Sequence, residues 1–513
     1  MKKTVVILML LTFISKILGF ARDIILSYFY GATIISDVYL ISITIPVAIL
    51  AIIGKGIYTA FVPMYTRIES SDGIDRANNY TNNLMNVVAV LCTFIFIVGV
   101  VFTELLVKLF ASGFEGEALT LAVIFTRINL IGVFFTGVIY VFTSFLQKKE
   151  IFFIPAIMGL PANLIVIVSI FISSKTNIYL LPIGNLLATV SQFLLLLFYA
   201  NRSNYRYKFT LDLKDKNIRK MSLLALPVIF GSSISQINVL IDRTLASSLA
   251  PGGISALNYA NTINLVVLGM LVSAITSVLY PKISTMIVEN NMMELKKNIS
   301  MTANVIHLLV LPITVGYMIF SHQIVQLLFG RGAFDSQAML MTSNALFFYS
   351  IGLAAISLRE MLSNIYYSLQ DTKTPMSNAV LAMILNIILN FALAPYLGIG
   401  GLALASSISM IFCTVLLFIS LRKKIGNFGT KTIIISFIKT LAASIIMGGA
   451  SLFIYERLSH HFSFLFSFLS SIVIGMVVYC IVISFMKMEE VKIMTHDLQN
   501  KMKLTITKRR KTK

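Results

Sequence analysis

Eleven charged residues lie inside long apolar stretches of the chain. Lys16, Arg22, Lys55, Arg127, Arg243, Arg359 and Lys439 are basic, and Asp23, Asp37, Asp242 and Glu360 are acidic. A charge at the centre of a bilayer costs at least ~2.5–3.5 kcal/mol even on the most lenient insertion scale, so such residues usually face a protein-lined cavity. The basic ones outnumber the acids by three. A cavity for cationic compounds would be acidic, whereas a basic cavity selects anions, pyrophosphate among them. Arginine suits this task because its planar fork bonds two phosphate oxygens at once. Lys16 precedes Arg22 by six positions and Asp23 by seven, which puts all three near one helical face. Gly19, between them, leaves room for a ligand or a neighbouring helix. The structural alternative is that Asp23 neutralises Arg22 and Asp242 neutralises Arg243, with Arg127 and Lys439 snorkelling from span ends.

The elements that carry these residues are apolar runs. The chain has 513 residues, 57% of them hydrophobic and 12% charged, about half the charged share of soluble domains. Fourteen runs are long enough to cross a ~30 Å hydrocarbon core. They cover roughly 5–30, 35–63, 83–107, 118–146, 151–173, 178–200, 221–249, 255–281, 301–322, 337–368, 374–396, 398–421, 432–455 and 463–486. They lack the period-2 alternation of barrel strands, so helices satisfy the backbone. The first run, after Lys2 and Lys3, lacks a small-residue cleavage site and is expected to be a retained first helix. Cys92, Cys413 and Cys480 each fall inside a run, read as small buried hydrophobes. Tryptophan is absent, so an interfacial belt falls to the 20 tyrosines.

Basic residues orient the runs. With a cytoplasmic N-terminus, cytoplasmic segments hold 30 of the 41 Lys and Arg, and outer loops hold four: Lys108, Lys175, Arg331 and Arg457. This is the positive-inside pattern, with both termini inside. The densest cluster is the 201–220 loop, with Arg202, Arg206, Lys208, Lys214, Lys216, Arg219 and Lys220; the other is the tail ending Lys508-Arg509-Arg510-Lys511. Charge on inner loops meets anionic lipid, which argues against nucleic acid as a partner.

The chain also resembles itself at an offset of about 220. Arg22-Asp23 pairs with Asp242-Arg243, and Ser36-Asp37-Val38-Tyr39 with Ala256-Leu257-Asn258-Tyr259. Phe61-Val62-Pro63-Met64-Tyr65 pairs with Val278-Leu279-Tyr280-Pro281-Lys282. Six spans separate the copies, so both face the same way, a transporter arrangement with a substrate site between halves. The expected architecture is all-α integral membrane, with 14 transmembrane helices in two pseudo-symmetric six-helix lobes plus two extra C-terminal helices. The boundaries are 1–220 for the N-lobe, 221–430 for the C-lobe, 431–486 for helices 13 and 14, and 487–513 for a basic tail.

Catalytic signatures are missing. No GxxxxGK[ST] loop, HExxH or CxxC is present, and the five histidines are scattered or near span ends. The chain reads as a non-enzyme. Asn386 and Asn390, spaced i, i+4, offer amide oxygens that with Asp242 and Ser406 suit a small cation; helix–helix hydrogen bonds are the alternative use.

Ser15-Lys16-Ile17-Leu18-Gly19-Phe20-Ala21-Arg22-Asp23, Gly31, Ser36-Asp37 and Phe61-Val62-Pro63 resemble the opening of the MurJ/MviN lipid II flippases. That family belongs to the multidrug/oligosaccharidyl-lipid/polysaccharide exporter superfamily. Leu328-Phe329-Gly330-Arg331-Gly332-Ala333-Phe334 and Tyr367-Ser368-Leu369-Gln370-Asp371-Thr372-Lys373-Thr374-Pro375 are similar to later signatures of the family. The resemblance implies outward flipping of undecaprenyl-pyrophosphate-linked disaccharide-pentapeptide across the bacterial cytoplasmic membrane, with membrane lipids and cell-wall synthesis machinery as partners. It places cavity-lining groups at Lys16, Arg22, Asp23 and Asp37, a sodium site at Asp242, Asn386, Asn390 and Ser406, and a lipid-tail groove at spans 13 and 14. The substrate-binding set expected overall is Lys16, Arg22, Asp23, Asp37, Lys55, Arg243 and Arg359. The chain departs from the family at Leu50 and Ala51, where many members carry an arginine pair, and at Thr262, where many carry a basic residue. Lys55 and Arg243 are candidates to supply that charge. A flippase for another polyprenyl-pyrophosphate glycan, or a multidrug exporter, is the alternative reading.

Overall fold

A computed structural model describes residues 2–486 except Asn204 and Asn290. The basic tail 487–513 lies outside the described residues, and every regular element among them is helical. In order these are α1 (Lys2–Tyr30), α2 (Ile34–Val101), α3 (Thr103–Phe110), α4 (Gly116–Lys148), α5 (Phe153–Ile157), α6 (Gly159–Ser173), α7 (Leu180–Arg202), α8 (Lys216–Leu249) and α9 (Gly253–Val267). A π turn, Leu268–Val272, leads into α10 (Ser273–Val288). Then follow α11 (Met292–Ile319), α12 (Ser321–Phe329), α13 (Ser336–Ile351), α14 (Leu353–Ser368), α15 (Lys373–Leu397), α16 (Ile399–Ile425), α17 (Thr430–Ser459) and α18 (Phe464–Phe485).

Among the described residues ten helices are long and apolar enough to cross a membrane, and up to twelve when two bent pairs each count as one span. The pairs are Lys216–Leu226 with Gly231–Leu249, bent by 46°, and Ser336–Ile351 with Leu353–Ser368, bent by 48°. The long α2 contains two of the expected runs. A straight helix of its 68 residues would extend ~100 Å, about three hydrocarbon thicknesses. It breaks at Gly73, whose φ of 84° and ψ of 170° are open to glycine and strained for other residues. Large apolar side chains face outward along the helices, among them Phe94, Val101, Phe198, Phe391 and Phe485. Such exposure is a liability in water and is what acyl chains require.

The chain divides into two compact units. One comprises 1–262, 328–342 and 387–402; the other comprises 263–327, 343–386 and 403 onward. The first is built on aromatic packing where α2, α4 and the segment after α7 meet. Phe61 and Tyr80 stack at 5.9 Å, Tyr65 meets Phe145 edge-on at 5.9 Å, and Phe142 meets Tyr205 at 5.4 Å. Helices α2 and α4 approach so closely that a Cβ on Gly137 would stand 2.6 Å from Cys92 Sγ. The second unit packs α11 against α14 and α17 around Ile299, Ile306, Met361, Leu362, Ile365 and Tyr366, all fully buried. Cys92 and Cys413 are buried as expected. Cys480 is exposed, because α18 turns that side outward.

Candidate functional site

Helix α1 belongs to the first unit, and on it Arg22 pairs with its neighbour Asp23. Arg22 donates from Nε (3.1 Å) and Nη2 (2.8 Å) to Asp23 Oδ1. Its Nη1 reaches Asn163 Oδ1 on α6 at 3.4 Å, and Asn163 Nδ2 turns back to the Ser15 carbonyl at 3.4 Å. The carboxylate is nearly buried, whereas 37% of the Arg22 side chain stays exposed. A guanidinium held on one edge by a carboxylate and an amide keeps donors for an incoming anion. Lys16 is exposed one and a half turns earlier. It borders a cavity of about 300 Å³ lined also by Thr12, Ser15, Met158, Gly159 and Gln192. A Cβ on Gly159 would collide with Ser15 Oγ, so glycine there lets α1 approach this wall.

Asp37 is placed differently. It is buried near the start of α2 and accepts from Gly252 N at 2.8 Å, Ser255 N at 2.7 Å and Ser255 Oγ. These are the orphan donors at the N-terminus of α9, so Asp37 caps that helix from a distance. Arg243, on α8, ties the same helix from the other side, donating to the Ile254 carbonyl at 3.0 Å and to Asn258 Oδ1 at 3.1 Å. The Thr262 hydroxyl donates to the Asn258 carbonyl at 2.8 Å and stands 3.4 Å from Asp23 Oδ2.

The remaining candidates are dispersed. Lys55 and Arg127 are exposed. In the second unit Arg359 is half-buried with Nη1 3.5 Å from Met410 Sδ. Lys439 Nζ caps the end of α18 through the Met486 carbonyl at 3.2 Å. The four residues of the expected sodium site fall in two pairs. Asn390 Nδ2 donates to Asp242 Oδ1 at 2.7 Å in the first unit, and Asn386 Nδ2 to Ser406 Oγ at 3.3 Å in the second. Each amide presents nitrogen rather than oxygen to its partner. No cluster of three or more His, Cys, Asp or Glu suited to a metal occurs among the described residues.

Both later signature motifs have structural explanations. In the 328–334 motif Gly332 adopts φ 66°, and Ala333 N donates to the Tyr28 carbonyl at 2.8 Å. Phe329 lies 5.0 Å from the Tyr259 ring and 5.9 Å from Phe334. In the 367–375 motif Asp371 caps α15, accepting from Thr374 N at 3.0 Å and Thr374 Oγ1 at 2.8 Å, and pairs with Lys424 Nζ at 2.6 Å. Partial burial opposes its ionisation, but these bonds prevail and hold the carboxyl at about 2.

Reasoning from sequence missed Asn163. Its only signal is a lone amide inside the apolar run after Pro161-Ala162. It also missed Ser255, whose role depends on Asp37 far away in the chain, and Asn258, which accepts from Arg243 on the preceding helix.

A family model described as lipid II flippase MurJ matches residues 26–473. A probable lipid II flippase MurJ of Thermotoga maritima is 29% identical over 484 residues, covering 94% of this chain and 96% of the relative. One from Vibrio cholerae is 28% identical over 465 residues, covering 88% of each. A solved lipid II flippase MurJ in an inward closed conformation matches with a TM-score of 0.81 at 27% identity, over 94% of this chain and 98% of that one. An inward-facing multidrug resistance MATE family transporter of the MOP superfamily, 16% identical, shares the fold with a TM-score of 0.69, over 81% of this chain and 96% of that one.

Proposed function

Since this multi-pass membrane protein belongs to the lipid II flippase MurJ family, we propose that it carries lipid II from the cytoplasmic to the outer leaflet by alternating access. The observation that carries this reading is the Arg22 guanidinium, fixed by Asp23 and Asn163 yet more than a third exposed. A pyrophosphate meeting it gains bidentate, charge-assisted bonds. Lys16 adds a second cation on the same helix, beside a cavity of about 300 Å³. Asp37 and Arg243 serve by fixing the start of α9, and Arg359 and Lys55 add to the positive potential.

The topology has fourteen spans, both termini cytoplasmic, with lobes 1–220 and 221–430. Dividing α2 at Gly73 and adding α1 to the bent-pair count supports this number. The 431–486 pair receives the lipid tail. An open apolar face along α18, formed by Met476, Val477, Cys480, Ile481 and Phe485, supports that role. The chain acts as a transporter rather than an enzyme, with a lipid-linked pyrophosphate as substrate. Depletion in cells tests the substrate: lipid II accumulates on the cytoplasmic face if the proposal holds, and accumulation of a different polyprenyl-linked glycan instead would overturn it.

A further inference from the structure

The segment that joins α7 to α8 is irregular over 205–212 yet held at many points. Three asparagines on the second half of α2, all buried, spend their side chains on it. Asn82 Nδ2 donates to the Arg206 carbonyl at 3.4 Å, Asn83 Nδ2 to the Asp212 carbonyl at 3.0 Å, and Asn86 Nδ2 to the Thr210 carbonyl at 2.8 Å. Asp212 N donates back to Asn83 Oδ1 at 2.7 Å, and Tyr207 Oη to Asn86 Oδ1 at 2.7 Å. Tyr205 is buried beneath with its hydroxyl on Asn82 Oδ1. A buried amide normally stabilises a core; here three of them stabilise a surface segment.

What this clamp displays is apolar. Tyr207 is 52% exposed, Phe209 77%, Leu211 43% and Leu213 62%, one at every second position. Around them Arg202, Arg206, Lys208, Lys214, Lys216, Arg219 and Lys220 are all exposed. The two acids nearby are engaged with backbone: Asp212 Oδ1 accepts from Lys214 N at 2.9 Å, and Asp215 Oδ1 from Asn217 N at 2.6 Å. A folded chain does not hold large apolar side chains rigidly in water without a partner. Aromatic and aliphatic groups among cations match a headgroup boundary, where apolar groups enter the acyl region and Lys and Arg meet anionic phosphates. The position agrees, since the segment directly follows the end of one apolar helix and precedes the start of the next.

We infer that residues 205–213 form a rigid anchor that inserts Tyr207, Phe209, Leu211 and Leu213 into an anionic lipid surface, with the surrounding cations on its headgroups. In the cell this is the inner leaflet, which rests on the proposed orientation. The full-length protein contains no tryptophan, so Phe209→Trp creates a single emitter at the most exposed position. In vesicles containing brominated phosphatidylglycerol, the expected result is blue-shifted emission, strong quenching by the brominated lipid and protection from acrylamide. Replacing the anionic lipid by brominated phosphatidylcholine should weaken quenching. Arg206→Gln and Lys208→Gln should each lower the anionic preference by up to about fivefold. Acrylamide access without lipid quenching would overturn the inference, as would protection that appears only when a soluble protein fraction is added. Equal quenching in both lipids would overturn the anionic part. Both leaflets of such vesicles are anionic and no lipid II is present, so a failure of the flippase reading or of the orientation leaves this measurement intact.

Discussion

The two copies of the internal repeat use the same pair of charges for different work. In the first copy Arg22 bonds its own neighbour Asp23 and keeps 37% of its side chain exposed. In the second copy the order is reversed. Arg243 secures the first turns of α9 through Ile254 and Asn258, while Asp242 accepts from Asn390. One guanidinium is oriented but still open to a ligand, and the other is spent on the fold. A repeat therefore preserves the residues of a site without preserving the site. What separates the copies is whether a neighbouring carboxylate or the adjoining helix takes up the arginine's donors.

The comparison breaks most easily at Arg22. Arg22→Ala should abolish lipid II transport while the protein still inserts and accumulates. Arg22→Lys should restore only part of it, because an ammonium lacks the bidentate fork. Full transport by Arg22→Ala would remove the distinction between the copies. Asn163→Ala should lower transport by roughly threefold to tenfold with little change in thermal stability. Its 3.4 Å bonds to Arg22 and Ser15 are long, worth about 0.5–1.5 kcal/mol. Asn163→Gln, if its longer amide reaches Arg22, should recover part of that loss.

Arg243→Ala should act the other way. Losing a charged donor to Ile254 and Asn258 should cost about 1–3 kcal/mol and lower the melting temperature, with transport per folded molecule falling less than in Arg22→Ala. A normal melting temperature with transport abolished would make the second copy a binding site as well.

Asp371 in the other unit provides a calibration by pH. Its carboxyl lies at about 2, below the ordinary 3.8. Its contribution is complete above the unfolded value and is lost as pH falls through the folded one. Thermal denaturation of wild type and Asp371→Asn should therefore differ at pH 6 by no more than about 1 kcal/mol, because the Lys424 partner is partly exposed. The two should converge toward pH 2. The smallest effect belongs to Thr262→Val, which removes the hydroxyl that donates to the Asn258 carbonyl and lies 3.4 Å from Asp23 Oδ2 and should cost less than about 1 kcal/mol.

Much of this was legible in the sequence because a charge in an apolar run is conspicuous. Arg22, Asp23 and Lys16 stand out for that reason, and the seven-residue spacing puts Lys16 and Asp23 on one face. The partners that give each charge its role were not legible. Asn163 lies 141 positions from Arg22, and an asparagine in a membrane run reads equally well as a helix–helix contact. That Asp37 accepts from Gly252 and Ser255 was not legible, because nothing in the local sequence announces that those donors reach it. The break at Gly73 was hidden for a different reason. The polar stretch 69–82 is helical on both sides of one glycine, whereas an amphipathic or apolar pattern was needed to foresee helix there.

The most direct test is a nucleotide-free proteoliposome assay that measures transfer of labelled lipid II under an imposed potential, with wild type beside Arg22→Ala. An anionic substrate bound at Arg22 would offset positive charge carried in the spans, and moving one charge through 100 mV is worth about 2.3 kcal/mol. The account predicts that a potential negative on the loading side speeds wild-type transfer of the anion away from that side, and that Arg22→Ala shows none. Transfer that ignores potential and ion gradients and requires ATP, or that proceeds equally in Arg22→Ala, would contradict it.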